Sequence, residues 1–173
     1  SILDVNIDVD LYKPPYPQIS YIDSLKILKS HGINIKNGQS LNEKAEQCIA
    51  DTYNKPTFVM NIPKEIEPFP YKLTKNNSFT KTADLLIPNG FGEILGIAEF
   101  IYQNEELKER MIHKKKLAKE NNLEWYTDLS QFGDVPRSGF GMGVERLLRV
   151  ILKLPHIKDC YTFPRLYDRQ PYP

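Results

Sequence analysis

The sequence predicts an α+β fold in which an antiparallel sheet is flanked by helices. Three observations lead there. Two β-rich runs, KTADLLIP (81–88) and GEILGIAEFI (92–101), meet across the turn-forming PNGFG and read as an antiparallel hairpin. Strand-like stretches are grouped with helical ones beside them, without the regular strand–helix–strand alternation of a parallel sheet. A chain of 173 residues that is 40% hydrophobic is long and apolar enough for one domain with a core.

Residues 1–19 alternate Ile2, Val5, Ile7 and Val9 with polar and acidic residues, then break at Pro14, Pro15 and Pro17. That pattern predicts an edge strand followed by an extended, proline-stiffened connection. Ser20 is placed to cap a helix whose apolar residues are Ile22, Leu25, Ile27 and Leu28, and Gly32 ends it. Gly38 and Ser40 open a second helix over 41–54, with Leu41, Ala45, Cys48 and Ile49 on one side. KPTFVMNIP (55–63) reads as a short buried strand bordered by prolines, and 64–80 as a loop containing a hairpin. After the 81–101 hairpin, Glu105 to Asn121 predicts a charged helix with a thin apolar stripe, and 123–133 a more apolar one ended by Gly133. SGFGMGVERLLRVILKL (138–154) reads as a strand running into a helix.

Composition excludes several classes. Net charge is +1, with 23 basic against 22 acidic side chains, so bulk charge gives no reason to expect nucleic-acid or membrane binding. No apolar run approaches the ~20 residues a membrane-spanning helix needs. Cys48 and Cys160 lie far apart, which argues against a zinc site and for a reducing, cytoplasmic setting. The acidic start lacks the layout of a signal peptide. It also lacks an initiator Met, which suggests a piece of a longer chain.

The glycines of the last strand pose the chemical question. Residues two apart on a strand share a face, so Gly139, Gly141 and Gly143 bare one face of side chains. A glycine-rich strand orders poorly. A flat ligand lying on the backbone is one reason to accept that loss. On this reading Phe140, Met142 and Val144 point the other way, into the core. Arg146, at the mouth of the helix, can stack on an aromatic ring or grip a phosphate. A nucleotide would use both. The alternative is close helix–sheet packing over the glycines, with Arg146 in a surface ion pair.

Asp84 and Glu93 fall on the two arms of the hairpin, each an acid in an apolar run. A buried charge is costly without a partner, and magnesium favours one or two carboxylates plus phosphate oxygens and water. The competing expectation is that both acids face solvent or pair with lysines such as Lys81.

The segment GFGMGVERLLRVILKLPHIKDCYTFPR resembles motif 3 of class II aminoacyl-tRNA synthetases, in the asparaginyl/aspartyl branch. The matching parts are Gly139 to Arg146, then His156-Ile157-Lys158-Asp159, then Phe163-Pro164-Arg165. Upstream, 16–32, 55–69, 83–96 and 123–141 resemble segments of the same branch in the same order. The resemblance implies a class II synthetase-like catalytic core, with residues 1–173 as the C-terminal part of one such domain. Motif 1, motif 2 and an anticodon-binding domain are not recognisable in these residues. It implies ATP and Mg2+ as cofactors, with Arg146 as catalytic residue on the adenine. Glu93, Gly141, Gly143 and Arg146 would bind ATP, Asp84 and Glu93 the metal, and Gly96, Ala98, Phe100 and Gly139 the substrate. The implied partners are an amino acid and tRNA, in a homodimer by analogy.

Two positions depart from the family pattern. Phe100 stands where an arginine normally contacts the substrate side chain, and a phenyl ring cannot bind a carboxylate or amide bidentately. Arg137 stands where a histidine precedes the glycine strand, and reads as a surface residue. His31, His113 and His156 show no metal-ligand spacing. Ser138 has no nucleophile-elbow context. The run from His113 to Lys116 reads as a solvated helix face, and Trp125 and Tyr126 as core. The expected function is ATP-dependent amino-acid activation with transfer to tRNA, of the asparaginyl type. The alternatives are an asparagine synthetase-like paralogue that needs no tRNA, and a synthetase-like binding module without chemistry.

Overall fold

A computed structural model describes residues 10–114 and 123–167. Its frame is a five-stranded sheet whose strands follow one another in space as in sequence: β1 (Gln18–Ser20), β2 (Thr57–Met60), β3 (Thr82–Ile87), β4 (Gly92–Phe100) and β5 (Arg137–Met142). The expected antiparallel sheet is present with one exception. β1 runs parallel to β2, joined through two helices, while β2–β3, β3–β4 and β4–β5 are antiparallel. A parallel pair cannot be closed by a tight turn, and the two helices supply the crossover.

Those helices are α1 (Tyr21–Ser30) and α2 (Glu43–Tyr53). Ser20 caps α1 by accepting from the Asp23 amide, and Asn42 caps α2 by accepting from Ala45. Tyr21, Leu28, Ala45 and Ile49 pack with Val59 and Leu86 into one core cluster. Val59 and Asp84 are register partners, so this cluster covers the β2–β3 end of the face that carries Asp84. Tyr21 is fully buried, and its hydroxyl donates to the Gln39 carbonyl at 2.7 Å.

The helix α5 (Val144–Leu152) follows β5 and packs on the other face of the sheet. There Val150 and Leu147 meet Leu85, Ile87, Ile94 and Leu95. A third cluster lies at the end of β4. It joins Phe69 and Ile101 to Leu107 and Met111 of α3 (Asn104–His113), with Tyr126 of α4 (Glu124–Asp128) against it.

Several expectations change in detail. The helix expected over 105–121 is observed as α3, and its 115–121 part lies outside the described residues, as do the 1–9 part of the expected first strand and Lys115 and Lys116. The apolar helix expected over 123–133 is α4 followed by a 3-10 turn (Leu129–Phe132). Trp125 is exposed rather than core, whereas Tyr126 packs edge-on against Phe69 at 5.2 Å. Phe140, Met142 and Val144 do not enter a core: Phe140 is 71% exposed and Val144 63%. The physical reason is their position. β5 ends the sheet, and α5 makes its contacts on the β3–β4 side of that face, leaving the β5 side bare. No described helix is long and apolar enough to cross a membrane.

Candidate active site

The register brings the two acids together, with help from an irregularity. Asp84 pairs with Gly96, so both belong to the face covered by α1 and α2. By simple alternation Glu93, three residues before Gly96, would point to the opposite face. A bulge between Leu85 and Leu86 shifts the pairing: Leu85 opposes Leu95, but Leu86 opposes Glu93. The extra residue lets Ile94 and Leu95 both enter the α5-side cluster and turns Glu93 to the side of Asp84. A side chain on Gly96 would begin 3.4 Å from Asp84 Oδ1 and 3.7 Å from Glu93 Oε1. Both carboxylates thus overhang one glycine.

Among the described residues neither acid is paired with a lysine. Lys81 bonds Glu99 at 2.8 Å and Lys72 lies 3.3 Å from the same carboxylate, away from Asp84 and Glu93. The cation beside the pair is Arg146. Its Nη1 donates to the Glu93 carbonyl at 2.7 Å and lies 3.4 Å from the Glu93 carboxylate. Burial, then the charges of Glu93, Glu67 and Glu46, push Asp84 up to about 7. Burial also raises Glu46, whose carboxylate accepts from the Glu93 amide at 3.4 Å.

Only part of the glycine strand is bare. The Phe100 ring occupies the space above Gly139, with Cε2 3.2 Å from where a Cβ would sit. The stem of Arg146 fills the space above Gly143, also at 3.2 Å. Gly141 alone meets nothing within 4 Å. It opens into a cleft of about 400 Å3 shared by Asp84, Glu93, Gly96, Tyr71 and Glu67. The slot is therefore one residue wide, with an aromatic ring on one side and an arginine stem on the other. Of the other expected substrate positions, Ala98 is buried in the sheet at 5% exposure, and Phe100 packs edge-on to Tyr71 at 5.5 Å. Arg137, paired with Phe100 in register, is exposed and holds its guanidinium 5.8 Å from the centre of that ring.

Sequence reasoning missed Glu67 and Tyr71. Both come from the 64–73 loop, which is laced to the end of β4 by Lys72 N–H to Glu99 O at 2.8 Å and Ile101 N–H to Pro70 O at 2.8 Å. The signal was an acid set among apolar and proline residues in IEPFPY. Burial first, then repulsion from Glu93, push Glu67 up to about 7. Glu67 and Asp84 also border a smaller recess of about 110 Å3 that reaches Tyr21 and Glu46.

The donor set suits a hard divalent cation shared with phosphates. Two carboxylates converge, one of them held unfavourably without a cation, and magnesium completes its shell with water and phosphate oxygens. Among the described residues no group of three or more His, Cys, Asp or Glu is arranged to hold a metal alone. An open slot on bare backbone, with a guanidinium at its rim and paired acids along it, can take a flat base and an attached polyphosphate.

Residues 2–167 match the family described as tRNA synthetases class II (D, K and N). Among curated relatives, an asparagine–tRNA ligase of Pyrococcus furiosus is 40% identical over 154 residues, covering 88% of this chain and 35% of the relative. Another, of Pelotomaculum thermopropionicum, is 39% identical over 157 residues, covering 90% and 36%. A crystal structure of asparaginyl-tRNA synthetase from Pyrococcus horikoshii complexed with asparaginyl-adenylate superposes with a TM-score of 0.84 at 38% identity, covering 93% of this chain and 37% of that one. The chain thus spans little more than a third of the length of the curated relatives it matches.

Proposed function

The chain belongs to the class II tRNA synthetases of the D, K and N group, and on that premise we propose that its cleft activates an amino acid with ATP and magnesium for transfer to tRNA. The convergence of Asp84 and Glu93 over Gly96, with Arg146 beside them and Gly141 open, carries this reading.

In this reading the base lies on the backbone at Gly141 and Arg146 stacks over it, because guanidinium planes favour aromatic faces. Gly143 lets the Arg146 stem lie flat against the strand. Asp84 and Glu93 would hold the magnesium, which would supply charge compensation for the phosphate oxygens. The amino acid enters beside Gly96 from the end closed by Tyr71 and Phe100. Its carboxylate attacks the α-phosphorus, giving an aminoacyl-adenylate and pyrophosphate, and the acyl group then passes to a 3′-terminal hydroxyl of a tRNA, releasing AMP. These residues act by positioning and charge compensation, with no covalent bond to the protein. The relatives are asparagine–tRNA ligases, which supports an asparaginyl type of activity. An acceptor other than tRNA would use the same first step.

The test is amino-acid-dependent ATP–pyrophosphate exchange by the full-length polypeptide. Asparagine-dependent exchange, reduced at least 100-fold by Asp84→Asn or Glu93→Gln, is expected. Exchange indifferent to both substitutions would defeat the assignment of the acids. ATP binding with no exchange for any amino acid would favour a binding module.

A further inference from the structure

A short strap borders both cavities of the candidate site. Glu67 and Pro68 line the cleft of about 400 Å3, and Ile66 and Glu67 line the recess of about 110 Å3. These three residues belong to no helix or strand, so the strap is placed by what holds its ends. At the far end it is tied to β4, through Ile101 N–H to Pro70 O and Lys72 N–H to Glu99 O, both at 2.8 Å. At the near end Lys64 N–H donates to Ser78 O and Ile66 N–H to Pro63 O, each at a longer 3.2 Å.

Two cations of α3 meet that near end. Arg110 Nη2 reaches the Lys64 carbonyl at 3.5 Å, and Lys114, the residue that closes α3, donates from Nζ to the Glu65 carbonyl at 2.6 Å. Residues four apart share a helix face, so consecutive carbonyls of the strap are met by one face of α3. Arg110 is 5% exposed, and among the described residues its Nε has no partner. The acids whose charge supports it are Glu65, on the strap itself, and Glu106, one turn earlier on α3. A buried guanidinium with one long bond adds little stability, and an apolar residue of the same length would fill that place as well or better. What an apolar residue cannot do is hold a carbonyl of the strap. Lys114 acts on the same strap through its charge, which favours the ionised form of Glu67 against burial and Glu93.

We propose that Arg110 and Lys114 are positioning residues, which hold the Lys64 and Glu65 carbonyls and thereby fix Glu67 and Pro68 at the border of the cleft. Neither cation lines the cleft itself. The effect on catalysis rests on the amino-acid-activating reading above, and the effect on the strap does not.

The experiment uses the full-length polypeptide, the variants Arg110→Met and Lys114→Met, the two combined, and Lys114→Arg. Amide deuterium uptake is read at Lys64 and Ile66, at the near end, and at Lys72 and Ile101, at the far end. In the combined variant the first two amides should take up deuterium at least tenfold faster, and the last two within twofold of wild type. Arg110→Met should melt no lower than wild type, and Lys114→Arg, which keeps a donor for the Glu65 carbonyl, should match wild type at all four amides. A merely structural role would instead lower the melting temperature and speed all four together. That outcome, or unchanged uptake at Lys64 and Ile66, overturns the proposal. In ATP–pyrophosphate exchange the combined variant should raise the KM for the amino acid at least fivefold and leave that for ATP within twofold, because Gly141 and Arg146 stand on β5 and α5. An equal rise in both overturns the link from the strap to the amino acid. Absence of pyrophosphate exchange with every amino acid in the wild type would sink the activation reading, and deuterium uptake alone would then decide the strap.

Discussion

Arg146 spans from the first turn of α5 to β4, where it donates to the Glu93 carbonyl at 2.7 Å and faces the Glu93 carboxylate at 3.4 Å. One guanidinium is thereby oriented by the strand that carries one of the two acids. Lysine cannot reproduce the planar fork or its stacking. Arg146→Lys should raise the KM for ATP about tenfold or more and Arg146→Ala further, each interaction being on the order of 1–3 kcal/mol. The pair is substantially exposed, so stability should change by less than about 1 kcal/mol. ATP titration alongside thermal melting checks both halves.

The three strand glycines should answer differently to the same substitution. A methyl on Gly141 meets no protein atom within 4 Å, so Gly141→Ala should fold within about 0.5 kcal/mol of the wild type yet weaken ATP binding. Gly139→Ala displaces the Phe100 ring, and Gly143→Ala the Arg146 stem, each from 3.2 Å. The first should disturb amino-acid use and the second ATP use. Equal loss of ATP affinity in all three would show that the slot is not confined to Gly141.

Much of this site was legible before the fold. Period-two spacing placed the glycines on one face, and acids in apolar runs marked Asp84 and Glu93. Register was not legible, because whether Glu93 faces Asp84 depends on a single extra residue opposite Leu85 and Leu86. Nor was the use of the bared face by Phe100 and Arg146, since alternation gives the side of a residue and not what reaches across to it. The α1, α2 and hairpin boundaries followed from caps and turns. The exposure of Phe140 and Val144 did not, because a sequence cannot say which strand ends the sheet.

The cover over the β2–β3 end of the cleft face depends on a polar contact in a full core. Tyr21 is completely buried and its hydroxyl donates to Gln39 O at 2.7 Å. Tyr21→Phe removes that hydrogen bond, and because Gln39 is exposed its carbonyl can turn to water, so the cost should be about 1 kcal/mol. Ile49→Ala, with no exposed surface to lose, should cost about 2–5 kcal/mol through a cavity. Denaturant midpoints give both values, and the reverse order would show that the α1–α2 layer is held by other contacts.

Asp84 gives the fold a pH signature that its ligand should reverse. Burial first, and then Glu93, Glu67 and Glu46, raise its carboxyl from the ordinary 3.8 to about 7. A carboxyl whose pKa is higher in the folded state favours folding when protonated. Its contribution is complete below about pH 4 and is lost as pH rises toward 7. Glu67, also raised to about 7, adds in the same direction. Without ligand, the melting temperature should therefore fall between pH 5 and 7.5, by roughly 2–4 °C per kcal/mol for a domain of this size. Magnesium with ATP needs the ionised form, so its affinity should tighten over the same window, up to about tenfold per pH unit for each proton released. Asp84→Asn removes the titration and keeps the shape. It should reduce the slope to the part that Glu67 supplies, leave the ligand-free protein more stable than wild type at pH 7.5, and abolish the gain from magnesium. A slope undiminished in Asp84→Asn would locate the titrating group elsewhere.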